Sequence, residues 1–324
     1  MREIPSLYLV VPCYSEEEVI EHSAQILNDS LCKWISDGII TDTSKIVFVN
    51  DGSKDRTAEI LTRLCHENKK FGLLNFSRNI GHQAAILAGM LFGREYADCT
   101  ITIDADLQQD IGKVPEFIEA YRKGAEVVYG VRNDRNTDGF FKKFTAGCFY
   151  KLMKFFGCDV LANSADYRLM SKKALDILSQ YEESNLFLRG LIPLMGLSSD
   201  IVYFDVKDRE AGQSKYTLKK MIDLATNGIT SLSVKPISMI TGAGIIMCIF
   251  SIIMIIFTVV EYIKGNAVAG YSTTVISIWL VGGCLMTAMG VIGEYIGKMY
   301  IETKKRPRYI IESSILGFDD TEKE

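Results

Sequence analysis

The chain has 324 residues, a formal net charge of −4 and eight cysteines. That length holds one large domain or two smaller ones around a sizeable core. An acidic chain with no broad basic face argues against a nucleic-acid binder, and cysteines scattered without a C-x-x-C pair argue against a disulfide framework or a zinc site.

Taken in order, residues 7–11 form an apolar strand closed by Pro12, and Pro12-Cys13-Tyr14-Ser15-Glu16 opens a helix rich in early acids. Tyr14, at the strand's C-terminal edge, can stack on a nucleobase or cap a core. Residues 46–49 repeat the pattern and end in Asn50-Asp51-Gly52-Ser53. Gly52 can take a positive φ, which leaves the Asp51 carboxylate facing the same edge. There it reads a ribose hydroxyl or a base N–H, or caps the helix that begins near Thr57. Residues 73–76 are a third strand, followed by Ser77-Arg78-Asn79-Ile80-Gly81-His82 and a helix from Gln83 to about Arg94. Arg78 is placed to face a phosphate or to pair with a nearby acid. None of His22, His66 and His82 has metal-ligand spacing.

Thr100-Ile101-Thr102-Ile103-Asp104-Ala105-Asp106-Leu107-Gln108 is a β-branched run that ends in two carboxylates two positions apart. At the C-terminal edge of an open sheet, Asp104, Asp106 and the Gln108 amide offer the hard oxygens that Mg²⁺ or Mn²⁺ takes when it also holds a diphosphate. A polar turn is the alternative. A helix over 114–123 and a strand over 127–130, ending in Val131-Arg132, continue an alternation that predicts an α/β fold with a mostly parallel, doubly wound sheet.

Residues 140–156 place Phe141, Phe144, Phe149, Leu152 and Phe155 on one helical face, with Lys142, Lys143, Lys151 and Lys154 around the others. Such a helix lies on an anionic membrane or packs on a core. In Ala165-Asp166-Tyr167-Arg168, the acid and the arginine share one side of a strand. They form an ion pair, or present a carboxylate and a phosphate-binding guanidinium to a site. Arg209-Glu210-Ala211-Gly212-Gln213-Ser214-Lys215-Tyr216 is a polar loop with two cations placed to touch phosphate.

Residues 218–232 are amphipathic. The apolar run 237–260, about 24 residues, is long enough as a helix to cross a bilayer, and 273–292 gives a second run of about 20. Lysines and arginines flank the pair, which places both termini and the catalytic half in the cytosol at the cell membrane. The expected division is a cytosolic catalytic domain over 1–217, a juxtamembrane helix over 218–235, a two-helix anchor over 236–297 and a cytosolic tail over 298–324.

V-P-C-Y-S-E, V-N-D-G-S, S-R-N-I-G, D-A-D-L-Q, A-D-Y-R-L-M and R-E-A-G-Q-S-K-Y stand in that order. Together with the paired apolar runs they resemble the polyprenyl-phosphate glycosyltransferases, the family of dolichol-phosphate mannose synthases and GtrB-type bactoprenol glucosyltransferases. The resemblance implies a GT-A fold on a membrane anchor and inverting, Mg²⁺- or Mn²⁺-dependent transfer. A hexose or N-acetylhexosamine would pass from a nucleotide sugar, UDP-glucose or UDP-GlcNAc, to undecaprenyl or another polyprenyl phosphate for cell-envelope glycosylation.

By the same resemblance Pro12, Tyr14, Glu16 and Asp51 hold base and ribose, and Asp104, Asp106 and Gln108 hold the metal on the donor. Arg132, Lys143, Arg168, Arg209 and Lys215 face the acceptor phosphate, with Asp166 and Arg132 at the chemistry. Ser15 replaces the usual Asn and Tyr167 the usual Phe. A downstream flippase and a second glycosyltransferase would take the product. Gly282, Gly283, Ala288 and Gly290 permit the close helix packing of a homo-oligomer. A processive polysaccharide synthase would carry a Q-x-x-R-W motif, which is absent, and a non-catalytic membrane scaffold would not require Asp104, Asp106 and Asp166. A nicotinamide dehydrogenase lacks its G-x-G-x-x-G turn.

Overall fold

A computed structural model describes residues 1–133, 161, 163–183, 187–205 and 271–315, with isolated positions at 155 and between 235 and 253. Among them are the strands β1 (Leu7–Cys13), β2 (Lys45–Asn50), β3 (Phe71–Phe76), β4 (Cys99–Thr102), β5 (Val127–Arg132), β6 (Ser164–Ser171), β7 (Ser199–Phe204) and β8 (Ile311–Ile315). The helices are α1 (Ile20–Ser36), α2 (Thr57–Glu67), α3 (His82–Tyr96), α4 (Val114–Arg122), α5 (Lys172–Leu178), α6 (Leu188–Leu194) and α7 (Tyr271–Thr303).

The strands form one sheet in the order β7-β5-β6-β4-β1-β2-β3-β8. The pairs β1–β2, β1–β4, β2–β3 and β5–β7 are parallel; β6 runs antiparallel to β4 and β5, and β8 antiparallel to β3. The expected mostly parallel α/β sheet is what the chain forms. Its central strands β6, β4, β1 and β2 are buried over nearly their whole length because both faces are covered. Leu9, Phe48 and Leu73 pack with α1, α2 and α4 on one side. Val10, Val49 and Leu74 pack with α3, α5 and α6 on the other.

Helix α3 lies against the sheet through glycine. A Cβ on Gly89 would overlap Val10, and one on Gly93 would overlap Thr100. This close approach sets the His82 end of α3 over the C-terminal edge of the sheet.

Three expectations are corrected. Strand β1 does not stop before Pro12; Pro12 and Cys13 pair with Val49 and Asn50. Val10 accepts from the Ile103 N–H, so it faces β4, and Pro12, two residues on, faces the same way just where β4 has ended. The next bond of that ladder would run from residue 12's N–H to the Ile103 carbonyl, so the missing proline N–H ends the pairing with β4 while the pairing with β2 continues. Residues 298–324 are not simply a tail. They begin inside α7, and β8 then adds an edge strand to β3, with Tyr309 stacked on Phe76 at 5.2 Å between ring centroids.

The two expected membrane spans are not shown by the described residues. Among the described residues no helix is long and apolar enough to cross a membrane. The run 273–292 lies within the 33-residue α7, where Ile278, Leu285, Met286, Met289 and Ile296 are exposed. The expected helices over 140–156 and 218–232, and most of 237–260, lie outside the described residues. The third correction concerns Arg168 and follows from the site.

Candidate active site

The C-terminal ends of β1, β2 and β4 enclose a cavity of about 260 Å³, lined among others by Pro12, Tyr14, Glu16, Asp51, Gly81, His82, Asp104 and Asp106. Three loops make it. After β1 the chain turns through Ser15 at φ 55°, a conformation in which Asn is far commoner than Ser, which accounts for the usual Asn there. This turn hangs on the start of α2: the Ser15 N–H donates to Ser53 Oγ at 3.0 Å and the Glu16 N–H to Thr57 Oγ1 at 2.9 Å. Tyr14 projects at 44 % exposure.

After β2, Gly52 holds φ 61°, and a Cβ there would overlap the Arg78 and Asn79 backbone. Asp51 is buried and accepts from the Ile80 and Gly81 N–H groups at 2.7 and 2.9 Å. Burial pushes its carboxyl above the ordinary 3.8, and those two bonds oppose the rise. Asp51 thus shapes the 77–81 loop while lining the cavity. Arg78 is exposed and is not among the lining residues.

After β4, Leu107 at φ 49° turns the chain between Asp106 and Gln108. The buried Gln109, not Gln108, braces the first acid: its Nε2 donates to Asp104 Oδ2 at 2.5 Å and its Oε1 accepts the Asp104 N–H at 2.7 Å. The Gln108 N–H donates to Asp106 Oδ1 at 3.3 Å. The Asp104 carboxyl is raised by burial. His82 opposes the rise, and the like charges of Asp166 and Asp106 add to it.

Asp166, on β6, is reached through His82, whose Nε2 stands 3.5 Å from Asp104 Oδ1 and 3.9 Å from Asp166 Oδ2. Arg189 donates to both Asp166 oxygens, Nε to Oδ1 at 3.1 Å and Nη2 to Oδ2 at 2.9 Å. Arg168 Nη2 donates to Oδ1 at 2.9 Å, and Gln83 Nε2 to Oδ2 at 3.3 Å. Burial alone would raise this carboxyl; Arg189 and Arg168 outweigh it and hold it well below the usual range. Arg168, expected at the acceptor phosphate, is 1 % exposed and bonded to Asp166 and to the Leu188 carbonyl. A guanidinium so enclosed is a structural partner, because releasing it would leave Asp166 with one less charge to balance it.

The structure therefore gathers Pro12, Tyr14, Glu16, Asp51, Asp104 and Asp106 in one cavity and sets Asp166 behind them. Arg132 ends β5, while Lys143, Arg209 and Lys215 lie outside the described residues. His82, Gln83, Gln109 and Arg189 were not anticipated as site residues. His82 and Gln83 stood directly after the S-R-N-I-G motif, a signal that could have found them; Arg189 on α6 had none.

Among the described residues no group of three or more His, Cys, Asp or Glu is placed to hold a metal ion. Asp104 and Asp106 still fit Mg²⁺ or Mn²⁺, which is commonly held by one or two carboxylates with substrate phosphates and water filling the other positions. The raised carboxyl of Asp104 marks negative charge that a cation would relieve.

An open α/β sheet with a carboxylate-lined cavity at its C-terminal edge is the ligand-binding arrangement of the doubly wound class. Residues 8–178 match the family described as Glycosyl transferase family 2, and the chain belongs to that family. It is 45 % identical to YkoT, an uncharacterized glycosyltransferase of Bacillus subtilis (strain 168), over 95 % of this chain and 91 % of that one. It is 39 % identical to a prophage bactoprenol glucosyl transferase homolog of Escherichia coli (strain K12), over 94 % and 97 % of the two chains. The bactoprenol glucosyl transferase of Shigella phage SfX is 38 % identical over 94 % and 98 %.

Proposed function

We propose that the protein moves glucose, or another hexose or N-acetylhexosamine, from UDP-glucose or UDP-GlcNAc to undecaprenyl or another polyprenyl phosphate, inverting the sugar carbon. The observation that carries this reading is the meeting of Asp104 and Asp106 with Pro12, Tyr14, Glu16 and Asp51 in one cavity. The names of the phage and Escherichia coli relatives support glucose and a polyprenyl acceptor.

In this reading Tyr14 and Pro12 flank the base, and Glu16 and Asp51 face the ribose. Asp104 and Asp106, with Gln108 nearby, are the ligands for Mg²⁺ or Mn²⁺. When bound, the ion supplies Lewis-acid stabilisation of the leaving diphosphate. The acceptor phosphate, with a second pKa of about 6, is largely deprotonated at neutral pH, so it attacks without a strong base. Asp166 suits that chemistry: a carboxylate held below its usual range is a weak base, and its work is to fix His82 and α6 at the rim. Arg132, with Lys143, Arg209 and Lys215, would offset the repulsion between the acceptor phosphate and the donor diphosphate.

The proposed setting is the cell membrane, with the runs 237–260 and 273–292 as anchor and the catalytic domain in the cytosol. It is supported by the uncharged runs, their cationic flanks and the exposed apolar side chains of α7. Homo-oligomerisation through the second run, and hand-over to a flippase and a second glycosyltransferase, belong to the same proposal.

Membranes containing the protein, given undecaprenyl phosphate, Mn²⁺ and each of a panel of radiolabelled nucleotide sugars, test it. Label from UDP-glucose or UDP-GlcNAc should enter the lipid extract. No incorporation from any donor would contradict the reading.

A further inference from the structure

Asn50, Asn75 and Ser313 stand opposite one another in register across β2, β3 and β8. Their side chains join the edge strand to the loop after β1 by an unbroken line of hydrogen bonds. The Ser15 N–H donates to Ser53 Oγ at 3.0 Å, and Ser53 Oγ donates to Asn50 Oδ1 at 2.6 Å. Asn50 Nδ2 donates to Asn75 Oδ1 at 3.1 Å, and Asn75 Nδ2 to Ser313 Oγ at 3.0 Å.

The amide orientations follow from chemistry. The Ser53 N–H, which can only donate, also points at Asn50 Oδ1 at 3.2 Å, so the Asn50 NH₂ must face Asn75. Every bond in the line donates toward β8, so each polarises the next. Asn50 is 3 % exposed, where an unpaired amide is costly. At the far end, Ser15 separates Tyr14 from Glu16, both of which line the cavity. A second tie runs alongside: the Ser77 N–H donates to the Ile310 carbonyl at 3.2 Å, next to the loop that Asp51 holds.

We propose that Asn50, Asn75 and Ser313 are positioning residues for the donor nucleotide, through which the segment after α7 holds the Tyr14-Ser15-Glu16 turn in its binding shape. The inference rests on the donor-cavity reading above. It gives β8, an exposed edge strand, a role in donor affinity.

The test uses full-length Ser313→Ala, Asn75→Ala and Ser313→Thr, with Ser314→Ala as control because its side chain leaves the opposite face of β8. UDP binding by calorimetry is read beside transfer from UDP-glucose to undecaprenyl phosphate. Ser313→Ala and Asn75→Ala should each weaken UDP binding and raise the donor KM about three- to ten-fold, the size of one lost hydrogen bond. Their kcat at saturating donor and their KM for the lipid should not move, Ser313→Thr should restore wild-type values, and Ser314→Ala should match wild type. The proposal is overturned if Ser313→Ala binds UDP as wild type does, if Ser314→Ala is equally weakened, or if the loss falls on kcat. Wild-type protein that binds no nucleotide would overturn the donor-cavity reading and this inference with it, an outcome distinct from UDP binding that ignores Ser313.

Discussion

Asp104 and Asp166 stand at one rim of one sheet with His82 between them, yet their surroundings drive the two carboxyls in opposite directions. At the end of β4, Asp104 has burial and two neighbouring acids against it, with His82 and one glutamine in its favour, and its carboxyl is raised. On β6, Asp166 is the more deeply buried of the two, but two arginines and Gln83 reach it and its carboxyl is lowered. The under-compensated acid is suited to a cation, and the over-compensated one is already satisfied. Groups pushed apart in this way are how one site separates binding from construction.

Breaking the satisfied side should cost most. Asp166→Asn leaves Arg168 and Arg189 without their counter-charge and should destabilise the fold by about 3–5 kcal/mol, measured by denaturant unfolding. The pH dependence fixes the sign. The folded-state value of Asp166 lies below its ordinary 3.8, so the stabilisation is fully present above that value and is lost as pH falls through the lower folded one. The stability gap between wild type and Asp166→Asn should stay constant through neutral pH and narrow only below about pH 4.

Asp104→Asn should do the reverse. The folded-state carboxyl is raised, so the charged form is penalised and the asparagine should lift the thermal midpoint at neutral pH. Transfer should fall on the order of 10³-fold, as expected from several kcal/mol of lost metal-assisted stabilisation. A neutral or lower midpoint would blur the contrast between the two acids. The smallest effect is expected at Arg78, exposed outside the cavity lining: Arg78→Ala should change stability by less than about 0.5 kcal/mol and the donor KM by less than about two-fold in steady-state assays.

The donor side of this contrast was legible in sequence because it is local. Asp51 and Asp104 follow their strands within one or two residues, Glu16 and Asp106 stand in the turns just beyond, and Gly52 announced its own turn. The Asp166 side was legible only in part. Alternation put Asp166 and Arg168 on one face, but the choice between an ion pair and a phosphate site depended on Arg189, brought in by α6 from 23 residues away. Gln108 is the amide expected beside the metal because it stands two residues after the second acid. The turn at Leu107 instead carries the next amide back onto Asp104. Strand β8 was missed because five largely exposed residues carry no burial pattern; its partner, β3, defines it.

The most direct measurement is UDP-glucose binding to metal-stripped protein, titrated with and without Mn²⁺, for wild type and Asp104→Asn. Mn²⁺ should tighten binding to wild type by at least about ten-fold and leave Asp104→Asn unchanged. Equal tightening of both proteins would contradict the assignment of the β4 acids to the cation.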